Sequence, residues 1–129
     1  MSETLANMEK IGGIDYSTEE QWTGLRWIDG KKIYQKTIVD TVPTTSADGT
    51  FVTKSINIAN NMDLVCSFNG FMVDATTNEI YYLPFFATNS GLQVKLSISA
   101  NRQATLANGF ARFSNSNCYL TFLYTKTTD

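Results

Sequence analysis

YSTEEQWTGLRWIDGKKIYQKTI, residues 16–38, is the stretch whose reading decides the fold. It holds both tryptophans, Trp22 and Trp27, and the clearest turn signal, Asp29-Gly30. Asp-Gly between two runs of aromatic and β-branched residues marks a β-hairpin, because glycine takes φ > 0 without steric cost. A two-residue loop at Asp29-Gly30 sets Trp27 opposite Lys32. A four-residue loop, Asp29 to Lys32, sets Ile28 opposite Ile33 and Trp27 opposite Tyr34. Cross-strand aromatic pairs add about 0.2–1 kcal/mol over Ala–Ala, which favours the longer loop. One face then carries Leu25, Trp27, Tyr34 and Ile38; the other carries Trp22, Ile28, Ile33 and Val39. Neither face is polar, so both are expected to be partly covered: one by the core, the other by a second sheet, a loop or another subunit. Trp22, Trp27 and Tyr34 are therefore assigned to fold or subunit packing.

Just upstream, Ser17-x-x-Glu20 and Thr18-x-x-Gln21 fit a capping box and predict one helical turn leading into the first strand. Glu19 and Glu20 are neighbours, and neighbours on a strand point to opposite faces. They read as a solvated acidic turn rather than a catalytic pair.

Working outward, residues 1–15 are polar, contain Gly12-Gly13, and are expected to be either a frayed terminus or an arm, the place where a stalk remnant would enter. Either helical turns through Leu5 and Met8 or an extended arm suits them. Residues 16–129 read as one domain. A loop follows at 41–50, broken by Pro43, Asp48 and Gly49. Residues 51–58 alternate, with Val52, Ile56 and Ile58 on one face. Residues 63–73 form a long strand that turns through 74–78 into 79–83, a second hairpin. Gly70 marks a bulge or a close approach within it. Residues 92–99 alternate most regularly, with Leu92, Val94, Leu96 and Ile98 inward. Residues 100–109 are a loop or short strand, Phe110 to Phe113 begin another strand, and 118–125 close the chain. Spacing of this kind, about eight strands with turn signals between them, predicts an all-β antiparallel sandwich or jelly-roll-like fold.

Composition narrows the functions. Net charge is −2 and histidine is absent. The commonest general base and metal ligand is therefore missing. Lysines and arginines are scattered, so nucleic acid is not an expected partner. No run approaches the roughly 20 apolar residues of a membrane span, and the first residues lack a signal-peptide core. Synthesis in the cytoplasm is expected. Asp29, Asp40, Asp48, Asp63 and Asp74 fall mostly at turns, where Asp is expected structurally. No enzyme activity, cofactor or metal is predicted. Cys66 and Cys118 alternate with apolar residues and read as buried small hydrophobes rather than a disulfide. Their thiols are close only if their strands are neighbours in register.

The run Tyr81-Tyr82-Leu83-Pro84-Phe85-Phe86 is the most aromatic in the chain. Pro84 should end a strand or hold it to an edge. Two readings stand: core plus a subunit interface, or an aromatic platform for sugar rings with Thr88 and Asn89 fixing hydroxyls. Candidate ligand contacts are Tyr81, Tyr82, Phe85, Phe86, Asn89 and Asn115.

Tyr16 to Gln21, Gly24, Trp27 to Lys31, Ile33, Tyr34, Lys36 and Thr37, with the terminal Tyr124 to Asp129 (YTKTTD), carry a resemblance. They resemble the C-terminal tip domain of bacteriophage and prophage tail-fibre or receptor-binding proteins. The match covers the first hairpin and the last residues; the stretch from about 43 to 118 is alike only in composition. Lys32 stands where family members often have Pro. The resemblance implies a homotrimeric β-sandwich tip in a virion tail, with other tail proteins as partners, that contacts a bacterial surface glycan or another receptor. Two alternatives remain open beside it. One is a structural trimerisation or capping module without a receptor site. The other is a carbohydrate-binding module unrelated to phage.

Overall fold

The structure is a computed structural model that describes residues 15–87 and 92–128. Among the described residues nine strands follow in order: β1 (Gln21–Arg26), β2 (Lys32–Thr41), β3 (Val52–Ile56), β4 (Met62–Val73), β5 (Ile80–Leu83), β6 (Phe85–Phe86), β7 (Gln93–Ile98), β8 (Ala104–Asn108) and β9 (Asn117–Lys126). They form two antiparallel sheets, β1-β2-β9-β4-β5 and β3-β8-β7-β6. The all-β sandwich expected from the alternation is what forms. The expected loop at 41–50 and turn at 74–78 fall where the strands break.

The core lies between the sheets. In β9, Cys118, Leu120, Phe122 and Tyr124 are fully buried. They pair across β2 with Asp40, Ile38, Lys36 and Tyr34. On the other side they meet Met72, Gly70, Phe68 and Val65 of β4. Ile56, Val94, Ala104 and Leu106 close the core from the second sheet. Gly70 is needed for close approach: a Cβ there would lie 2.5 Å from Cζ of Phe68, whose ring packs on Phe122 at 5.1 Å. The bulges of β4 lie earlier, between Met62 and Ser67.

Four local expectations are corrected. First, the leading hairpin uses neither loop considered. Trp27 N–H donates to Lys31 O and Gly30 N–H to Trp27 O, so Ile28, Asp29 and Gly30 form the loop. Gly30 sits at φ +90°, and Asp29 Oδ1 accepts from Lys31 N at 3.0 Å. A glycine in the left-handed region after a tight turn adds one residue to the loop. The loop sets Arg26 opposite Lys32, and a register shift between Trp22 and Arg26, where Gly24 takes φ +82°, then brings Tyr34 opposite Trp22, not Trp27; Ile28 is left at the tip, 91% exposed.

Second, no helical turn precedes β1. Ser17 Oγ accepts from Glu19 N, and the Ser17 carbonyl accepts from Thr37 N, so the segment runs along the edge of β2. Glu20 is not a solvated turn residue: it accepts from the Tyr124 hydroxyl and pairs with Lys126. Third, Ala111–Phe113 form a 3-10 turn rather than a strand. Phe113 is thereby buried against Tyr81, Phe85 and Phe110. Fourth, Cys66 is only half-buried, although Cys118 is fully buried. The cysteine strands are neighbours, but Cys118 pairs with Met72, six positions along β4 from Cys66. At about 3.4 Å per residue the thiols are far apart. Burial pushes the Cys118 thiol up to about 11.

Candidate functional site

Alternation that sends Leu120 and Phe122 inward sends Tyr119, Thr121 and Leu123 outward. Cross-strand pairing aligns these residues in rows over the outer face of the five-stranded sheet. Thr37, Thr121 and Asn69 form one row; Val39, Tyr119, Phe71 and Tyr82 form the next. Flanking rows are Gln35, Leu123 and Ser67 on one side, and Thr41, Asn117, Val73 and Ile80 on the other. None of these residues carries a charge. Large apolar side chains stand open on the face: Val39 53%, Ile80 56% and Tyr82 69% exposed. Exposed apolar residues also stand elsewhere, Ile28, Leu25 and Phe86 among them, but here they lie in adjacent rows, which makes this face a candidate interaction surface.

A depression of ≈ 340 Å³ lies on this face, lined by Tyr16, Thr37, Asn69, Phe71, Tyr119 and Thr121. Its shape follows from the row order. Short side chains of the threonine–asparagine row lie low, and the taller rings of the next row rise beside them. Phe71 and Tyr119 stack with centroids 5.0 Å apart at 25°, making one wall. Tyr16 arrives from the segment tied to β2 through Ser17 and Thr37. On the floor, the hydroxyls of Thr37 and Thr121 lie 2.8 Å apart and share a hydrogen bond. One of the two hydroxyl hydrogens is then left to donate elsewhere. The Asn69 side chain makes no hydrogen bond to another described residue, leaving its amide to a ligand or water. A pocket with apolar walls and a few placed polar groups is the usual form of a small-ligand site, and this volume lies at the lower end of the ~300–1,000 Å³ range.

The aromatic run is split among three environments. Tyr82 joins the outer face, edge-on to Phe71 at 6.3 Å. Tyr81 and Phe85 turn inward, each 5.0 Å from the ring of Phe113. Phe86, 62% exposed, sits on the edge strand of the other sheet. Asn115 takes φ +63° in the turn before β9, its N–H bonded to Val42 O. Asn89 and Thr88, and the proposed arm up to residue 14, lie outside the described residues. Among the described residues, Tyr82 is therefore the one sequence-derived candidate that reaches the outer face of the five-stranded sheet. Of the three packing residues, Tyr34 packs against the core and lies 6.2 Å from Tyr124. Trp22, 47% exposed, is flanked by Lys32 Nζ at 5.0 Å and Arg26 at 5.7 Å. Trp27 is half-buried.

The carboxylates with shifted pKa values are engaged as structural ion pairs. Asp74 is fully buried at the β4–β5 turn. Burial opposes its charge, but the Thr76 and Thr77 amides and the Arg112 guanidinium at 2.8 Å outweigh that and hold the carboxyl below its usual range. Arg112 also donates to the Tyr81 hydroxyl at 2.9 Å, which ties the 3-10 turn to β5. Asp40 is opposed by burial but held low by Lys54 and the Thr41 amide. Asp63 is held low chiefly by its hydrogen bond from Lys31. Glu20 loses some of its charge preference to burial and regains more from Lys126 and Tyr124. None of these acids lines the depression.

Sequence reasoning missed Tyr16, Thr37, Asn69, Phe71, Tyr119 and Thr121. A signal was present in β9, where Tyr119 and Leu123 are apolar on the phase that should be polar if that face met only water. No family model, curated protein or solved structure matches the chain.

Proposed function

We propose that this chain is the tip domain of a phage or prophage tail fibre, and that it recognises a glycan on the bacterial surface as a homotrimer. The proposal rests on the resemblance of residues 16–37 and 124–129 to such tips. The observation that carries the binding reading is the uncharged outer face, with an aromatic wall beside a floor of hydroxyls and an amide. Sugar rings offer apolar C–H faces and hydroxyl edges, and this combination complements both. Single sites of this kind bind weakly. Three on one axis, repeated over several fibres, raise avidity by about 10²–10⁴. A binding role rather than a catalytic one suits the ion-paired acids.

The same face supports a second reading. Val39, Ile80 and Tyr82 are open enough for the face to be the contact between subunits of a capping module with no receptor site.

Light scattering on the purified chain, combined with binding to candidate host cells and their wall polysaccharide, separates the two. A trimer that binds, and that loses binding but not mass on Tyr82→Ser, is expected. A chain whose Tyr82→Ser variant falls to monomers would favour the capping module. A monomer with no cell binding would overturn both.

A further inference from the structure

Granting that glycan-binding reading, we infer that the depression selects neutral sugars, hexoses or N-acetylhexosamines, over phosphorylated or uronic-acid ones. An anionic sugar taken out of water needs an arginine, a lysine or a set of converging N–H donors to replace its hydration. The residues lining the depression supply hydroxyls, one amide and aromatic rings. Neither the rows of the depression nor those flanking them hold a basic residue. Among its described residues, the segment bringing in Tyr16 carries the acids Asp15, Glu19 and Glu20 and no basic residue, and Glu20 is already paired with Lys126. A neutral ring meets none of these costs. It can lie against the Phe71–Tyr119 wall while its hydroxyls reach the Thr37–Thr121 pair and the open amide of Asn69.

The test displays the intact protein multivalently on an array of neutral hexose and N-acetylhexosamine oligomers beside phosphorylated and uronic-acid oligomers. Low salt is compared with about 0.5 M salt, where charge attraction is largely screened. Expected is capture by neutral oligomers that persists at high salt and weakens about three- to tenfold in both Asn69→Ala and Tyr16→Ala. Both residues are exposed, so folding should survive, and circular dichroism checks this. Asn69→Lys should raise capture of the anionic oligomers in a salt-sensitive way. Preference of the unmodified protein for anionic oligomers would overturn this inference and leave glycan recognition standing. So would neutral binding indifferent to both alanine variants. Capture of no oligomer of either class would overturn the glycan reading and this inference together.

Discussion

The two sheets of this sandwich present very different outer faces. On the four-stranded sheet, Thr53, Ala107 and Lys95 make one outward row and Ser55, Thr105 and Ser97 the next. Small hydroxyls and a lysine are what a sheet needs to meet water. On the five-stranded sheet the corresponding positions hold Val39, Tyr119, Phe71 and Tyr82. Both sheets share one core, so core packing does not explain the aromatics. The four-stranded sheet has exposed aromatics too, Phe86 on its edge strand and Phe51 beside Lys95, but among the described residues they do not form a row across paired strands. The contiguous aromatic row makes the outer face of the five-stranded sheet the candidate binding face.

Adjacent residues of one strand sharpen the contrast most. Phe122 points into the core and Thr121 onto the open face. Phe122→Ala should cost about 3–5 kcal/mol, the range for emptying an aromatic site in a core. Chemical denaturation would show it as a lower midpoint with an unchanged slope. A loss under about 1 kcal/mol would mean that the sheets are not packed as described.

A smaller loss is expected at the turn supporting the open face. Asp74→Ala leaves the Thr76 and Thr77 amides and Arg112 without their acceptor. Losing a buried acceptor costs on the order of 1–3 kcal/mol. Because β4 and β5 carry Phe71 and Tyr82, glycan capture should weaken with stability, whereas Lys95→Ala on the other sheet should change neither.

The pH response is milder through neutrality. Glu20, Asp40, Asp63 and Asp74 all have folded values below their unfolded ones. Their contribution is present above the unfolded carboxylate range, about 4, and is lost as pH falls through the folded values. At the other end, burial raises Cys118 to about 11. Burial and the Glu20 carboxylate also raise Tyr124. That contribution is complete below the unfolded values, about 8.5 and 10, and is lost as pH rises past them. With no histidine, the thermal midpoint should stay flat between about pH 5 and 8 and fall on both sides. A step near pH 6.5 would contradict this.

The smallest effect on stability belongs to the open face itself. Tyr82→Ser removes a ring that is 69% exposed. It should move stability by no more than about 0.5 kcal/mol while reducing binding or assembly. Stability loss as large as at Phe122 would erase the distinction between the faces.

Strand positions were legible because alternation is local. Residues 92–99 place Val94, Leu96 and Ile98 inward by period alone, and Cys118, Leu120, Phe122 and Tyr124 do the same in β9. Turn chemistry was legible in kind at Asp29-Gly30, but its register was not. Whether the glycine adds a residue to the loop depends on the backbone, and one residue reverses which side chains meet. The candidate site was the least legible. Its residues come from positions 16, 37, 69, 71, 119 and 121, and only the placement of β9 between β2 and β4 brings them together. The aromatic run 81–86 looked like one platform. Alternation sends Tyr81 and Tyr82 to opposite faces, and the chain then crosses to the other sheet after Pro84. The sequence by itself determined the fold class, the strands and the residues that must be buried, because each follows from the period of neighbouring side chains. Strand order, hairpin register and the aromatic-walled depression were decided only by tertiary structure. Pairing joins distant residues, and no local period records which strand lies beside which.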